Sequence, residues 1–118
     1  MDFDLSPEQV ALADSARSAL AHRWSADEVR KALDHPPSAV SDDLWNEMAE
    51  LGWIGIAAPE EVGGSGGDVL TACVLAIEAG RALLPSSLVS VIVAAIALDR
   101  SHDDDLRLSL LPSVLAGE

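Results

Sequence analysis

Trp53-Ile54-Gly55-Ile56-Ala57-Ala58-Pro59-Glu60-Glu61-Val62-Gly63-Gly64-Ser65-Gly66-Gly67 is the stretch on which the fold assignment turns. A short apolar run and a proline lead into a loop with four of the chain's eight glycines in its last five residues. Asp68 follows and can cap a helix. If the apolar run were a strand and the loop a phosphate cradle, this would be a dinucleotide-binding unit. That reading needs strands and helices in alternation around the loop, and the rest of the chain does not supply them. A Walker-type loop needs Gly-Lys-Ser or Gly-Lys-Thr, and no lysine occurs here. The loop therefore reads as a tight turn feeding a helix.

The flanking segments extend the helical reading. Ser6-Pro7-Glu8-Gln9 is a compact helix start, with Ser6 as cap, Pro7 in the first position and Gln9 able to close a capping box. Val10, Ala13, Arg17, Leu20 and Trp24 then recur at intervals of three and four, with Ala16 beside them, and the helix is expected to end near Arg23 or Trp24. Asp27, Glu28, Arg30 and Lys31 fit a short exposed helical turn that Pro36 and Pro37 would terminate. Ser41 caps the next helix, with Asp42 and Asp43 in its first turn, Leu44, Met48 and Leu51 on one face, and Gly52 as its stop. Beyond the glycine loop, the expected buried line is Leu70, Val74, Ile77 and Arg81 or Leu84.

Ser87 to Leu98 is apolar nearly all the way round, which predicts burial on most sides. Its Val89, Val91, Ile92, Val93 and Ile96 would also suit a strand; the helical context and the Ala94-Ala95-Ile96-Ala97 ending favour helix. Ser101-His102-Asp103-Asp104-Asp105 is an acidic helix start, followed by Leu106, Leu110 and Leu111, and Pro112 predicts a break or restart. The reading is all-α: an up-and-down bundle of about five to six helices, one domain over residues 1–118.

Composition agrees. The chain has 118 residues, 49% hydrophobic and 23% charged, which places it among globular domains rather than disordered ones. Seven Lys and Arg against 20 Asp and Glu give a net charge of −13, which disfavours nucleic acid and anionic membrane surfaces as partners. Leu88 to Leu98, the longest apolar stretch, falls far short of the roughly 20 residues of a spanning helix. The acidic opening MDFDLSPEQ does not resemble a signal peptide. Cys73, the single cysteine, cannot form an intramolecular disulfide, and a cytoplasmic location is expected.

Candidates for chemistry are few. His22, His35 and His102 lie in separate segments without a second ligand type at metal spacing, so no metal site is expected. Cys73, mid-helix beside Val74, reads as a buried small hydrophobe. Most acids fall in first turns and loops. Glu78 is the exception, inside the most apolar helix that still carries charge, with Arg81 three residues on as an ion-pair partner. Phe3, Trp24, Trp45 and Trp53 are too scattered for base stacking and read as core or domain-contact residues.

The run from Glu50 to Gly67 closely resembles a signature of the N-terminal domain of acyl-CoA dehydrogenases. Three further pieces resemble that domain in order: Asp4-Leu5-Ser6-Pro7-Glu8-Gln9, Ile77-Glu78-Ala79-Gly80-Arg81-Ala82, and Leu110 to Glu118. The resemblance implies a helical domain that packs with a middle β domain and a C-terminal helical domain, with FAD among those later parts. It implies an α,β-desaturation of an acyl-CoA thioester, in which the flavin takes a hydride and a carboxylate of a later domain takes the α-proton. No catalytic residue and no flavin ligand is therefore assigned to this chain, which by itself is expected to bind no FAD. The resemblance also implies that the helix matching Ser86 to Leu98 walls the acyl pocket, with Leu88, Val91, Ile92 and Ala95 as substrate-binding candidates. Leu84-Pro85-Ser86 is similar to members acting on bulky acyl-CoAs, steroid-derived ones included, some of which are mixed oligomers. The expected partners are thus the remaining domains or a second acyl-CoA dehydrogenase subunit, with apolar surface left around Trp53 and Val89. The alternative is a non-catalytic helical module that pairs with a full-length subunit.

Overall fold

The computed structural model describes residues 3–34 and 40–118. Its elements are α1 (Pro7–Arg23), α2 (Ala26–Asp34), α3 (Asp42–Glu50), a single 3-10 turn (Glu60–Val62), α4 (Val69–Arg81), α5 (Ser87–Asp99) and α6 (Asp104–Leu115). Among the described residues there is no strand, and no helix is long and apolar enough to cross a membrane. The expected ends at Pro36 and Pro37, and His35, lie outside the described residues. The chain divides into two compact units, Met1–Ala39 with Cys73–Pro85, and Val40–Ala72 with Ser86–Glu118.

In the first unit, α1 starts as its sequence dictates. Gln9 N–H donates to Ser6 Oγ at 3.2 Å, and Ser6 N–H donates to Gln9 Oε1 at 3.0 Å, which closes the capping box. Ala13, Ala16, Leu20 and Trp24 are buried, while Val10 and Arg17 are exposed. The buried stripe thus runs through Ala16 rather than Arg17. On α4, whose residues from Cys73 onward belong to this unit, the buried residues are Ala72, Val74, Leu75, Glu78 and Ala79. Leu70 and Ile77, expected on the buried line, are more than half exposed, and so is the Arg81 side chain. A helix apolar on nearly every side carries little phase information, and the structure turns Ala72, Val74, Leu75 and Ala79 inward. That rotation also exposes Cys73, correcting its reading as a buried hydrophobe. Helix α2 buries no residue and is laced by Arg30–Asp27 and Lys31–Glu28 pairs, each 2.8 Å long.

Helix α4 ends in a Schellman arrangement: Leu84 N–H donates to Ala79 O at 2.9 Å and Leu83 N–H to Gly80 O at 3.1 Å. The residue in the left-handed position of this motif is usually glycine. Here it is Leu83, at φ 56° and largely exposed. A left-handed conformation costs an L-residue about 1–2 kcal/mol, and Leu83 carries that strain without burying its side chain.

In the second unit, Leu44 N–H donates to Ser41 Oγ at 3.3 Å and caps α3, whose Leu44 and Met48 are buried and whose Leu51 is half exposed. Trp53, Ile54, Ile56 and Ala58 are buried in consecutive turns, so the apolar run is neither strand nor helix. Trp45 Nε1–H donates to Gly117 O at 3.1 Å, tying the chain's last residues to α3. Helix α5 packs against α6. Arg107 on α6 donates from Nε and Nη2 to Asp99 Oδ1, at 3.0 and 2.8 Å, and from Nη2 to Glu61 Oε1 at 3.2 Å, so one guanidinium holds α5, α6 and the 3-10 turn. Helix α6 runs through Pro112 without the expected break. Pro112 cannot bond the carbonyl four residues back, but Leu108 and Pro112 are both exposed, where water can satisfy that carbonyl.

Candidate functional site

Leu88, Ile92 and Ala95 lie at helical spacing on one face of α5 and are closed over by the chain itself, none more than 4% exposed. Val91, one residue round the helix, is half-buried. The opposite face presents Val89, Ser90, Val93, Ala94 and Ala97. The helix is therefore buried on one side only, against the expectation of burial on most sides. The apolar surface expected around Val89 is present and extends to Val93, whereas Trp53 is fully packed.

The glycine loop shows why its sequence is so restricted. Gly63 N–H donates to Glu60 O, Gly64 N–H to Pro59 O, Ser65 N–H to Gly55 O, Gly66 N–H to Ala58 O and Gly67 N–H to Ile56 O, all within 3.0 Å. The loop folds back on Gly55 to Glu60, and every one of its five amides is spent there. A phosphate cradle works by leaving such amides pointing at the anion. This loop does not fit a dinucleotide's pyrophosphate, that of FAD included. The glycines serve close backbone approach instead: a side chain on Gly64 would overlap the Ala58 carbonyl, and one on Gly67 would stand 2.5 Å from Ile56 O. Among the described residues no cluster of His, Cys, Asp or Glu could hold a metal.

The first unit holds the chain's one buried acid among the described residues, Glu78. Its carboxylate accepts from Arg17 Nε at 3.0 Å and Nη2 at 2.8 Å, and from Arg81 Nη1 at 3.3 Å. The Arg81 pair follows from helical spacing, but Arg17 lies 61 residues away in sequence, and local spacing could not reveal it. The Arg17 hydrogen bonds hold the Glu78 carboxyl below its ordinary value, and the Arg17 and Arg81 charges add to this against the opposing effect of burial. A lowered folded-state value contributes stability above the ordinary value of 4.5 that is lost as pH falls through the folded value. Thermal melts of the native chain and of Glu78→Gln are therefore expected to differ most above that pH and to converge in acid. A gap that stays constant with pH would contradict this assignment.

Arg17, Arg81 and Glu78 also line a cavity of about 810 Å³ in the same unit, completed by the end of α1, by α2 and by the turn after α4. Trp24, buried at its edge, donates from Nε1 to Leu83 O at 3.4 Å.

Residues 6–118 match the acyl-CoA dehydrogenase N-terminal domain model, and the chain belongs to that family. It is 32% identical over 95 residues to acyl-CoA dehydrogenase IpdE2 of Mycolicibacterium smegmatis, covering 80% of this chain and 30% of that protein. It is 38% identical over 84 residues to benzylmalonyl-CoA dehydrogenase of Aromatoleum aromaticum, covering 69% of this chain and 21% of that one. Among solved structures it matches a chain of the ChsE4-ChsE5 complex from Mycobacterium tuberculosis with a TM-score of 0.78 and 25% identity, over 99% of this chain and 30% of that one. The chain thus spans less than a third of the length of these relatives.

Proposed function

We propose that this chain is the N-terminal helical domain of an FAD-dependent acyl-CoA dehydrogenase that desaturates an acyl-CoA thioester between its α and β carbons. The observation that carries the reading is a family match over nearly the whole chain, joined to a fold of the same helical make-up. In this reading α5 shapes one wall of the acyl pocket through Leu88, Val91, Ile92 and Ala95. Val91 retains surface for contact, while Leu88, Ile92 and Ala95 fix where the helix stands. The flavin supplies the hydride acceptor. Because the glycine loop does not fit its pyrophosphate, no contact to it is assigned here. The relatives named for acyl-CoA substrates, one of them carrying an aromatic ring, support a bulky acyl group as the substrate class.

The test is acyl-CoA-dependent reduction of an electron acceptor by residues 1–118 combined with the remaining domains, in one chain or supplied by a second. Turnover is expected, and Val91→Trp is expected to lower kcat/KM for bulky acyl-CoAs about tenfold while sparing short ones, since a pocket wall discriminates by roughly 1–3 kcal/mol per misplaced group. No turnover with any acyl-CoA would sink the reading. A non-catalytic module pairing with a complete dehydrogenase subunit is the second reading, favoured by the exposed Leu106, Leu108 and Leu110 of α6. Under it, Val91→Trp leaves the acyl preference of the assembled enzyme unchanged.

A further inference from the structure

We propose that the cavity of the first unit, bounded by α1, α2 and the end of α4, is a binding site for a carboxylate that carries an apolar body. Its lining includes none of the α5 residues. Its volume of about 810 Å³ falls within the roughly 300–1,000 Å³ typical of small-molecule pockets.

Charge gives the first argument. In a chain of net charge −13, three of the seven Lys and Arg residues, Arg17, Arg30 and Arg81, line this one cavity, against one lining carboxylate, Glu78. Arg17 is committed to Glu78 by its two-bond fork. Arg81 gives Glu78 a single longer bond, and Arg30 gives one to Asp27 at 2.8 Å, and both side chains are well over half exposed. Asp14, which does not line the cavity, stands 3.7 Å from Arg17 and is itself exposed. Three lining guanidiniums against one lining carboxylate leave an excess of positive charge, partly offset from outside the lining by Asp27 on Arg30 and Asp14 on Arg17, which suits an anionic head. A guanidinium carries five donors in a planar fork that matches a carboxylate, and Arg81 has spent one on Glu78.

The apolar half gives the second argument. Leu20, Trp24, Val29 and Leu83, with three alanines and Ser25, form the rest of the lining, so an apolar body would meet mostly apolar side chains. Trp24 is held in orientation by its bond to the Leu83 carbonyl. Leu83 occupies the left-handed turn position where glycine is relaxed, yet its side chain is 68% exposed. Fold stability alone does not account for a strained, exposed leucine there, whereas an apolar contact to a ligand does.

The experiment is calorimetric titration of the full chain with decanoate, with 1-decanol as the uncharged match for the same body. Decanoate is expected to bind saturably at one site and at least tenfold tighter than decanol. Arg81→Gln and Arg30→Gln should each weaken decanoate about tenfold, as expected for loss of a charged hydrogen bond. Arg30→Gln should leave the melting midpoint unchanged, and Arg81→Gln, which also loses one bond to buried Glu78, should lower it only slightly. Leu83→Gly should melt at or above the native midpoint yet bind several-fold more weakly. Equal binding of decanol, unchanged affinity in both arginine variants, or absence of saturable binding by the natively melting chain would each overturn the proposal.

Discussion

Gly64→Ala is expected to destabilise the second unit by more than about 4 kcal/mol, at the extreme of what single substitutions do. The added methyl would overlap the backbone carbonyl of Ala58, and its next contacts are also within that residue. No side-chain rotation relieves a clash with backbone, so the loop must lift from Gly55–Glu60 and surrender the amide bonds that hold it. Gly63→Ala is the control. Its added methyl meets nothing, and its cost is confined to a left-handed φ of 93°, about 1–2 kcal/mol. Urea unfolding followed by circular dichroism separates the two. Equal small losses at both positions would mean that the loop is not held down as described and that its amides are available to a ligand after all.

That loop marks the boundary of what the sequence discloses. The caps were legible because they are local: Ser6 with Gln9, Ser41 with Leu44 and Asp68 with Thr71 each join residues three apart. The all-helical class followed from them and from the failure of the surrounding chain to supply strands. Which face of α4 is buried was not legible, because leucine, valine, isoleucine and alanine occupy nearly every side. Glu78 could be singled out as an acid in apolar company, but its principal partner Arg17 sits on a different helix, and only the fold brings them together. The Arg-lined cavity is likewise a tertiary fact, whereas Leu83 sits in a local turn that a leucine, unlike a glycine, does not announce. Pro112 misled for a physical reason: its rule concerns the lost hydrogen bond, and an exposed carbonyl can recover that bond from water. Family membership was legible through ordered motifs, whereas the inward and outward faces of α5 were not.

Leu88→Ala is the second large effect. Leu88 is fully buried, so truncation removes a side chain's transfer free energy and leaves a cavity that rigid helices refill poorly, about 3 kcal/mol within a usual span of 2–5. Val91→Ala, at a half-buried position on the same helix, should cost about 1 kcal/mol or less. The functional readings order the pair the other way. If Val91 touches the acyl chain and Leu88 only sets the helix, Val91→Ala should change acyl preference in the assembled enzyme while the fold hardly weakens. Leu88→Ala should instead weaken the fold, with acyl-CoAs of every size affected alike, because a displaced helix perturbs the wall without changing its chemistry. Measuring denaturation midpoints and kcat/KM ratios on the same two variants therefore separates contact from support. A Leu88→Ala variant that kept its stability but switched acyl preference would reverse the roles assigned to the two faces of α5.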